Sequence, residues 1–260
     1  MISHNFKKKF GQNFIFDKNL LAAIVKDADI KSDDEVLEIG AGAGTLTEII
    51  SQNTKKVVSF EIDNDLQAQL NSLNLKNTTF VFGDVMKFSI EEIEKAFEGK
   101  YKMIANLPYY ITTPIIFKFI NESQNIESLC IMVQKEVAER IVAKKGNKDY
   151  GVLSIMIDFY GKAEIKRIVE RKMFYPVPNV DSAVCLIKID KNKHKGIDGN
   201  GFYKFIQNCF LMRRKTLRNN LLKMGLSAQK LDSLTNFGLE KRPEQLDIEE
   251  FIEIYRNIYC

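Results

Sequence analysis

The chain has 260 residues, 45% of them apolar and 28% charged, which is enough apolar material for a proper core and excludes disordered, collagen-like and disulfide-scaffold classes. No run approaches the roughly 18 apolar residues that span a bilayer, and residues 1–10 are basic with no apolar stretch behind them, so a cytoplasmic protein without membrane attachment is expected. Cys130, Cys185, Cys209 and Cys260 are far apart and accompanied only by His4 and His194, which argues against a disulfide framework and against a metal site. The net charge of +4 is uneven. Residues 1–120 carry no arginine and sum to −2, whereas residues 121–260 carry all eight arginines and sum to +6. Arginine's planar fork suits phosphate oxygens, so the second half is the part to examine for a polyanionic partner.

In chain order, Asp17 reads as the N-cap of a helix over 18–27. From about Asp34 short β-branched runs alternate with amphipathic stretches, the rhythm of βαβ units and an α/β fold with a mostly parallel sheet. Seven strands are predicted, over 35–39, 56–61, 79–82, 101–105, 128–133, 163–169 and 182–189. Helices are predicted between them, over 45–51, 64–73, 89–97, 113–121, 134–143 and 152–160. The polar stretch KNKHKGIDGNG (191–201) has no periodicity and reads as a boundary. Residues 1–190 then form one domain, and 191–260 a small helical one with segments over 202–224, 227–236 and 246–259.

Chemistry gathers at the predicted strand ends. Glu38-Ile39-Gly40-Ala41-Gly42-Ala43-Gly44 closes the first strand and opens a helix, where glycines admit a ligand close to the backbone. Its G-x-G-x-G spacing differs from the G-x-G-x-x-G of dinucleotide folds. Glu61 ends the second strand, where a carboxylate accepts from a ribose diol, and Asp84 follows the third, placed to accept from an adenine amine. Three such groups in order point to an adenosine-containing cofactor. The fourth strand runs into Asn106-Leu107-Pro108-Tyr109-Tyr110. An adenine amine is a poor nucleophile because its lone pair is delocalised into the ring. The Asn106 side-chain oxygen and the Leu107 carbonyl, held by Pro108, suit both N–H groups of that amine and would turn its lone pair toward an electrophile, with Tyr109 stacking on the base. Such a site needs an extruded or unpaired base.

These motifs, together with Phe10-Gly11-Gln12-Asn13-Phe14, Phe174-Tyr175-Pro176-Val177-Pro178-Asn179-Val180-Asp181-Ser182-Ala183 and Arg214-Lys215-Thr216-Leu217-Arg218-Asn219, resemble the S-adenosylmethionine-dependent ribosomal RNA adenine dimethyltransferases nearly end to end. The resemblance implies a Rossmann-like class I methyltransferase domain followed by a small helical domain. It implies that Asn13 and Ile15 close over the cofactor by backbone contacts, that Gly40 faces its methionine part, that Gly42 also binds the cofactor, and that Glu61 and Asp84 hold its ribose and adenine. Asn106 would lie beside the sulfonium and the target, and Phe174 would face the adenine opposite Tyr109. The catalytic set is therefore Asn106, Leu107, Pro108, Tyr109 and Phe174. Tyr110 departs from the pattern, since the family more often has Asn there.

Thr112-Thr113-Pro114, the 174–183 loop and the 213–219 segment resemble the housekeeping small-subunit enzymes, which dimethylate two adjacent adenines in a hairpin loop near the 3′ end of the RNA, late in subunit assembly. The expected partners are that RNA and the assembling subunit, with the chain acting as a monomer. Arg213, Arg214, Lys215 and Arg218 place four positive charges in six residues and are the candidate RNA contacts. Three other readings compete: a resistance-type enzyme acting on large-subunit RNA, an assembly or transcription factor for which binding matters more than methylation, and a DNA adenine methyltransferase.

Overall fold

The computed structural model describes residues 14–108, 110–234 and 237–259. The sequence candidates Asn13 and Tyr109 lie outside the described residues. In chain order the elements are β1 (Phe14–Ile15), α1 (Lys18–Asp27), β2 (Glu35–Ile39), α2 (Thr45–Asn53), β3 (Lys56–Glu61), α3 (Gln67–Ser72), β4 (Thr78–Phe82), α4 (Ile90–Glu94), β5 (Tyr101–Asn106), α5 (Thr112–Glu122), β6 (Ile126–Gln134), α6 (Lys135–Val142), α7 (Val152–Tyr160), β7 (Gly161–Val169), β8 (Phe174–Tyr175), β9 (Ser182–Ile189), α8 (Gly199–Cys209), α9 (Leu217–Lys223), α10 (Ala228–Asp232) and α11 (Ile248–Tyr259). Among the described residues no helix is long and apolar enough to cross a membrane.

Seven strands form one sheet in the order β4-β3-β2-β5-β6-β9-β7, and β1 and β8 form a separate two-stranded ribbon. The pairs β2·β3, β3·β4, β2·β5 and β5·β6 are parallel, and β6·β9 is antiparallel. All five residues of β2 are buried, as a central parallel strand covered on both faces requires. From β2 the chain builds outward through β3 to β4 and then crosses back to place β5 on the other flank of β2. The strand order therefore reverses between β2 and β5, and the loops leaving their carboxyl ends diverge around a crevice. Against this sheet α1 buries Leu21, Ile24 and Val25, whose i, i+3, i+4 spacing forms one apolar stripe. Each contributes about 1.5–3 kcal/mol of apolar transfer. The Asp17 side chain starts that helix by accepting from the Asn19 and Leu20 N–H groups, at 2.9 and 3.0 Å.

The chain divides into two compact units, a sheet unit of residues up to 138 together with 163–189, and a helical unit of 139–162 together with 190 onward. The helical unit thus includes α7 as well as the C-terminal helices. Its boundary stretch is shorter than the composition of 191–201 suggests, because Asp198 accepts from the Asn200 and Gly201 N–H groups and so starts α8 at Gly199 in spite of the glycines. The segment of helical spacing over 202–224 consists of two helices separated by a turn. Asn220, fully buried, explains the break: its side chain accepts from the Met212 N–H and donates to the Thr216 carbonyl, so one amide serves the turn's backbone from inside α9. Thr216 then caps α9 by accepting from the Asn219 N–H. The predicted helix over 64–73 likewise begins as a 3₁₀ turn, Asn64–Leu66, capped by Asp63.

Candidate active site

The loop leaving β2 is built on main-chain bonds. The Gly40 and Ala41 N–H groups both donate to the Phe60 carbonyl, at 2.8 and 3.3 Å, which pins the loop to the end of β3. Gly40 and Gly44 adopt φ of 89° and 84°. A Cβ at Gly40 would lie 3.0 Å from the Asn106 carbonyl oxygen, and one at Gly44 would lie 2.4 Å from a Leu73 methyl carbon. The positive φ at both positions favours glycine whatever the space, and at Gly40 the close Asn106 backbone adds to the demand. The result brings the β2 loop against the end of β5, across the point where the strand order reverses.

Glu61, 4% exposed at the end of β3, accepts from the Gly42 N–H through Oε2 (2.7 Å) and from the Asp63 N–H through Oε1 (2.8 Å). Burial raises its pKa, and those backbone N–H groups work against the shift by stabilising the charged form. A carboxylate offers about four acceptor positions, more than these backbone N–H groups use, so Glu61 has acceptor capacity left for a ligand's hydroxyl. Asp84, just past β4, accepts from the Met86 N–H through Oδ1 (3.0 Å) and thereby caps the 3₁₀ turn Val85–Lys87. At the end of β5, the Pro108 carbonyl accepts from the Ile111 N–H (3.2 Å) and the Thr112 hydroxyl (3.3 Å), which folds the Asn106–Pro108 segment directly into α5.

Beneath this edge lies a second buried carboxyl group. Glu38 is fully buried in β2, where Oε2 accepts from the Thr47 hydroxyl (2.6 Å) and the Ser59 hydroxyl (2.5 Å), while Oε1 has no hydrogen-bond partner. Burial pushes its pKa up to about 7, against the pull of those hydroxyls and with the help of the Glu61 charge.

A cavity of about 1070 Å³, open to solvent, gathers these elements. Ile15, Gly40, Gly42, Glu61, Asp84, Asn106, Leu107, Pro108 and Phe174 all line it, so the structure brings together every described residue of the sequence-derived cofactor and catalytic sets. The ribbon supplies the outer wall, where Ile15 of β1 and Phe174 of β8 are register partners and both are buried. Sequence reasoning passed over Ile62, Val85, Ile111 and Ile115, which also form the wall. Their signal was adjacency, since Ile62 and Val85 directly follow the two strand-end acids.

The basic cluster lies in the helical unit. Arg213, Arg214 and Lys215 are exposed in the turn between α8 and α9. The Arg213 guanidinium donates to the Lys148 carbonyl (2.9 Å). Arg218 differs from the other three, because it is half-buried and pairs with Asp232 at 2.7 Å.

The family model described as Ribosomal RNA adenine dimethylase matches residues 3–259. The chain belongs to this family. Among the relatives, the ribosomal RNA small subunit methyltransferase A of Bacillus mycoides is 44% identical over 260 residues, covering 95% of this chain and 89% of the relative. The protein of the same name from Clostridium acetobutylicum is 40% identical over 260 residues, covering 98% and 94%. Among solved structures, a dimethyladenosine transferase from Plasmodium falciparum superposes with a TM-score of 0.79 at 27% identity, covering 94% of this chain and 98% of the other. Membership of the adenine dimethylase family makes the chain a ribosomal RNA adenine dimethyltransferase, and its mostly parallel seven-stranded sheet is that of a class I methyltransferase. The DNA-methyltransferase reading is set aside.

Proposed function

We propose that the chain transfers methyl groups from S-adenosylmethionine to the exocyclic amines of two adjacent adenines in a hairpin loop near the 3′ end of small-subunit ribosomal RNA. The reaction belongs to small-subunit assembly in the cytoplasm, and the chain acts as a monomer. The observation that carries the reading is the convergence of Glu61, Asp84 and the Asn106–Pro108 segment on one cavity at adjacent strand ends. Relatives 40–44% identical over at least 95% of the chain are named for the small subunit, which favours that RNA over the large-subunit alternative.

The residues fit the cofactor. Gly40, Ala41, Gly42 and Ala43 of the β2 loop line the cavity with backbone and small side chains only, and at Gly40, where a Cβ would meet the Asn106 carbonyl oxygen, the loop lies close against β5. Glu61 keeps acceptor capacity for a ribose hydroxyl, and Asp84 keeps Oδ2 for an adenine amine while Oδ1 holds the turn. When bound, S-adenosylmethionine supplies a methyl group on a positively charged sulfur that is already a good leaving group. Asn106 and the Leu107 carbonyl accept the two N–H bonds of the target amine and orient its lone pair, with Pro108 fixing the backbone. Phe174 and Tyr109 hold the faces of the base, and the apolar ribbon wall excludes water. Positioning and polar stabilisation suffice, and no strong general base is required. Arg213, Arg214 and Lys215 contact RNA phosphates.

The test is to map dimethylated adenines in the ribosomal RNA of both subunits from cells lacking the protein and complemented with wild type or Asn106→Ala. Wild type is expected to restore both modified adenines, and Asn106→Ala to restore neither while still binding the RNA. Full modification by Asn106→Ala would remove that residue from the mechanism, and modification confined to large-subunit RNA would overturn the substrate.

A further inference from the structure

Helix α5 begins just after the Asn106–Pro108 segment, and one of its side chains ties it to the opposite wall of the cavity. Lys118 is half-buried, and its ammonium donates to the carbonyl oxygens of Val85 (3.4 Å), Met86 (3.3 Å) and Phe88 (2.5 Å). An ammonium has three N–H donors, and these three carbonyls match them. All three belong to the 3₁₀ turn Val85–Lys87 and the residue that ends it. At the start of the same turn the Asp84 carboxylate accepts from the Met86 N–H. The turn is therefore held by an anion at its N–H end and by a cation at its carbonyl end, the arrangement its own dipole favours.

The clamp spans two walls of the site. Ile111 and Ile115 line the cavity from the α5 side, and Asp84 and Val85 line it from the β4 side. Lys118 is three residues beyond Ile115 and hence one helical turn along the same region of α5. Phe88 reinforces the far side, where its ring packs edge-on against Phe60 with centroids 5.3 Å apart. Removing the Lys118 ammonium would leave Asp84 attached to a turn no longer fastened to α5.

We propose that Lys118 is the positioning residue for Asp84: by clamping the 85–88 carbonyls onto α5 it sets where the Asp84 carboxylate stands, and so sets selectivity for the adenine end of the cofactor. The inference rests on the reading of Asp84 as acceptor of the adenine amine.

The experiment measures affinity of the full-length protein for S-adenosylhomocysteine and for its 6-deamino analogue, by calorimetry, in wild type, Lys118→Met, Lys118→Gln, Lys118→Arg and Asp84→Ala. Wild type is expected to prefer the amine-bearing ligand. In Lys118→Met that preference should contract by about tenfold, the scale of one charge-assisted hydrogen bond weakened. Lys118→Gln, which keeps an amide donor, should lie between, and Lys118→Arg should recover part of the preference. Melting temperature is recorded alongside, because a merely structural lysine would lower it and weaken both ligands equally. An unchanged preference in Lys118→Met and Lys118→Gln, with a lost preference in Asp84→Ala, overturns the role of Lys118. An unchanged preference in Asp84→Ala overturns the Asp84 reading and this inference with it.

Discussion

Around the cavity, Glu61, Asp84 and Lys118 end on main-chain groups, whereas in the helical unit such bonds are joined by ion pairs between side chains. Glu61 takes the Gly42 and Asp63 N–H groups, Asp84 takes that of Met86, and Lys118 takes three carbonyls. In the helical unit Lys145 pairs with Asp247 and Glu250, Lys241 with Glu250, and Arg218 with Asp232. A charge bonded to backbone fixes where a loop runs, and it does so with short, directional bonds. A pair between two exposed flexible side chains holds its elements more loosely and is screened by salt. The first arrangement suits a site that must place atoms, and the second joins elements of the helical unit without fixing the path of a loop.

Glu38 is the sharpest challenge to this contrast, being buried under the cavity yet partnered by the side chains of Thr47 and Ser59. Its carboxyl pKa is about 7 in the folded chain against 4.5 when unperturbed. Between those values the folded state keeps a proton that the unfolded chain has lost, so stability falls as pH rises through this window and is level above it. The contribution is about 3 kcal/mol between pH 4.5 and 7. Urea unfolding of wild type and Glu38→Gln across that range should show this fall in wild type only. Equal pH slopes in the two proteins would show that Glu38 does not titrate there.

Next in size is Glu61→Ala, which removes two backbone anchors together with the acceptor proposed for the ribose. S-adenosylmethionine affinity should drop by about 1.5–3 kcal/mol, the range for hydrogen bonds to a charged group. Calorimetry showing wild-type affinity would separate Glu61 from the cofactor and leave it a purely structural strut of the β2 loop.

The smallest effect is expected in the helical unit. Replacing Arg213, Arg214 and Lys215 together by Gln should flatten the dependence of log RNA affinity on log salt by roughly 0.7–0.9 for each phosphate no longer neutralised. Arg218→Gln should instead leave the slope near wild type, because Arg218 is already paired with Asp232. A flattened slope in Arg218→Gln with none in the triple variant would reverse the assignment of these four residues.

What the sequence disclosed follows from how local each cause is. The bounds of β2, β3, β9, α1 and α7 coincide with the predicted spans, because apolar runs, caps and turn residues are written in the segments themselves. The strand-end positions of Glu61, Asp84 and Asn106 were legible for the same reason, and the cavity contains all three. The ribbon was not legible, since β1 and β8 are two residues each and gain meaning only by pairing. The break between α8 and α9 was hidden because apolar spacing continues across it, while its cause is the buried Asn220 amide. The state of Glu38 depends on hydroxyls from α2 and β3, and the clamp of Lys118 on a turn about thirty positions earlier. Neither can be read from neighbours in sequence.

The pairing of Ile15 with Phe174 also bears on the order in which the protein is made. Synthesis delivers the glycine loop, Glu61, Asp84 and Asn106 well before Phe174, so a nascent chain holds the floor of the cavity while its outer wall is still missing. Closing so long a loop adds only a slowly growing entropic cost, but a ribbon of two residue pairs gives little in return until the strands flanking it are in place. Enclosure of the cavity by its ribbon wall is therefore a property of the finished sheet unit, reached only after synthesis has passed β8.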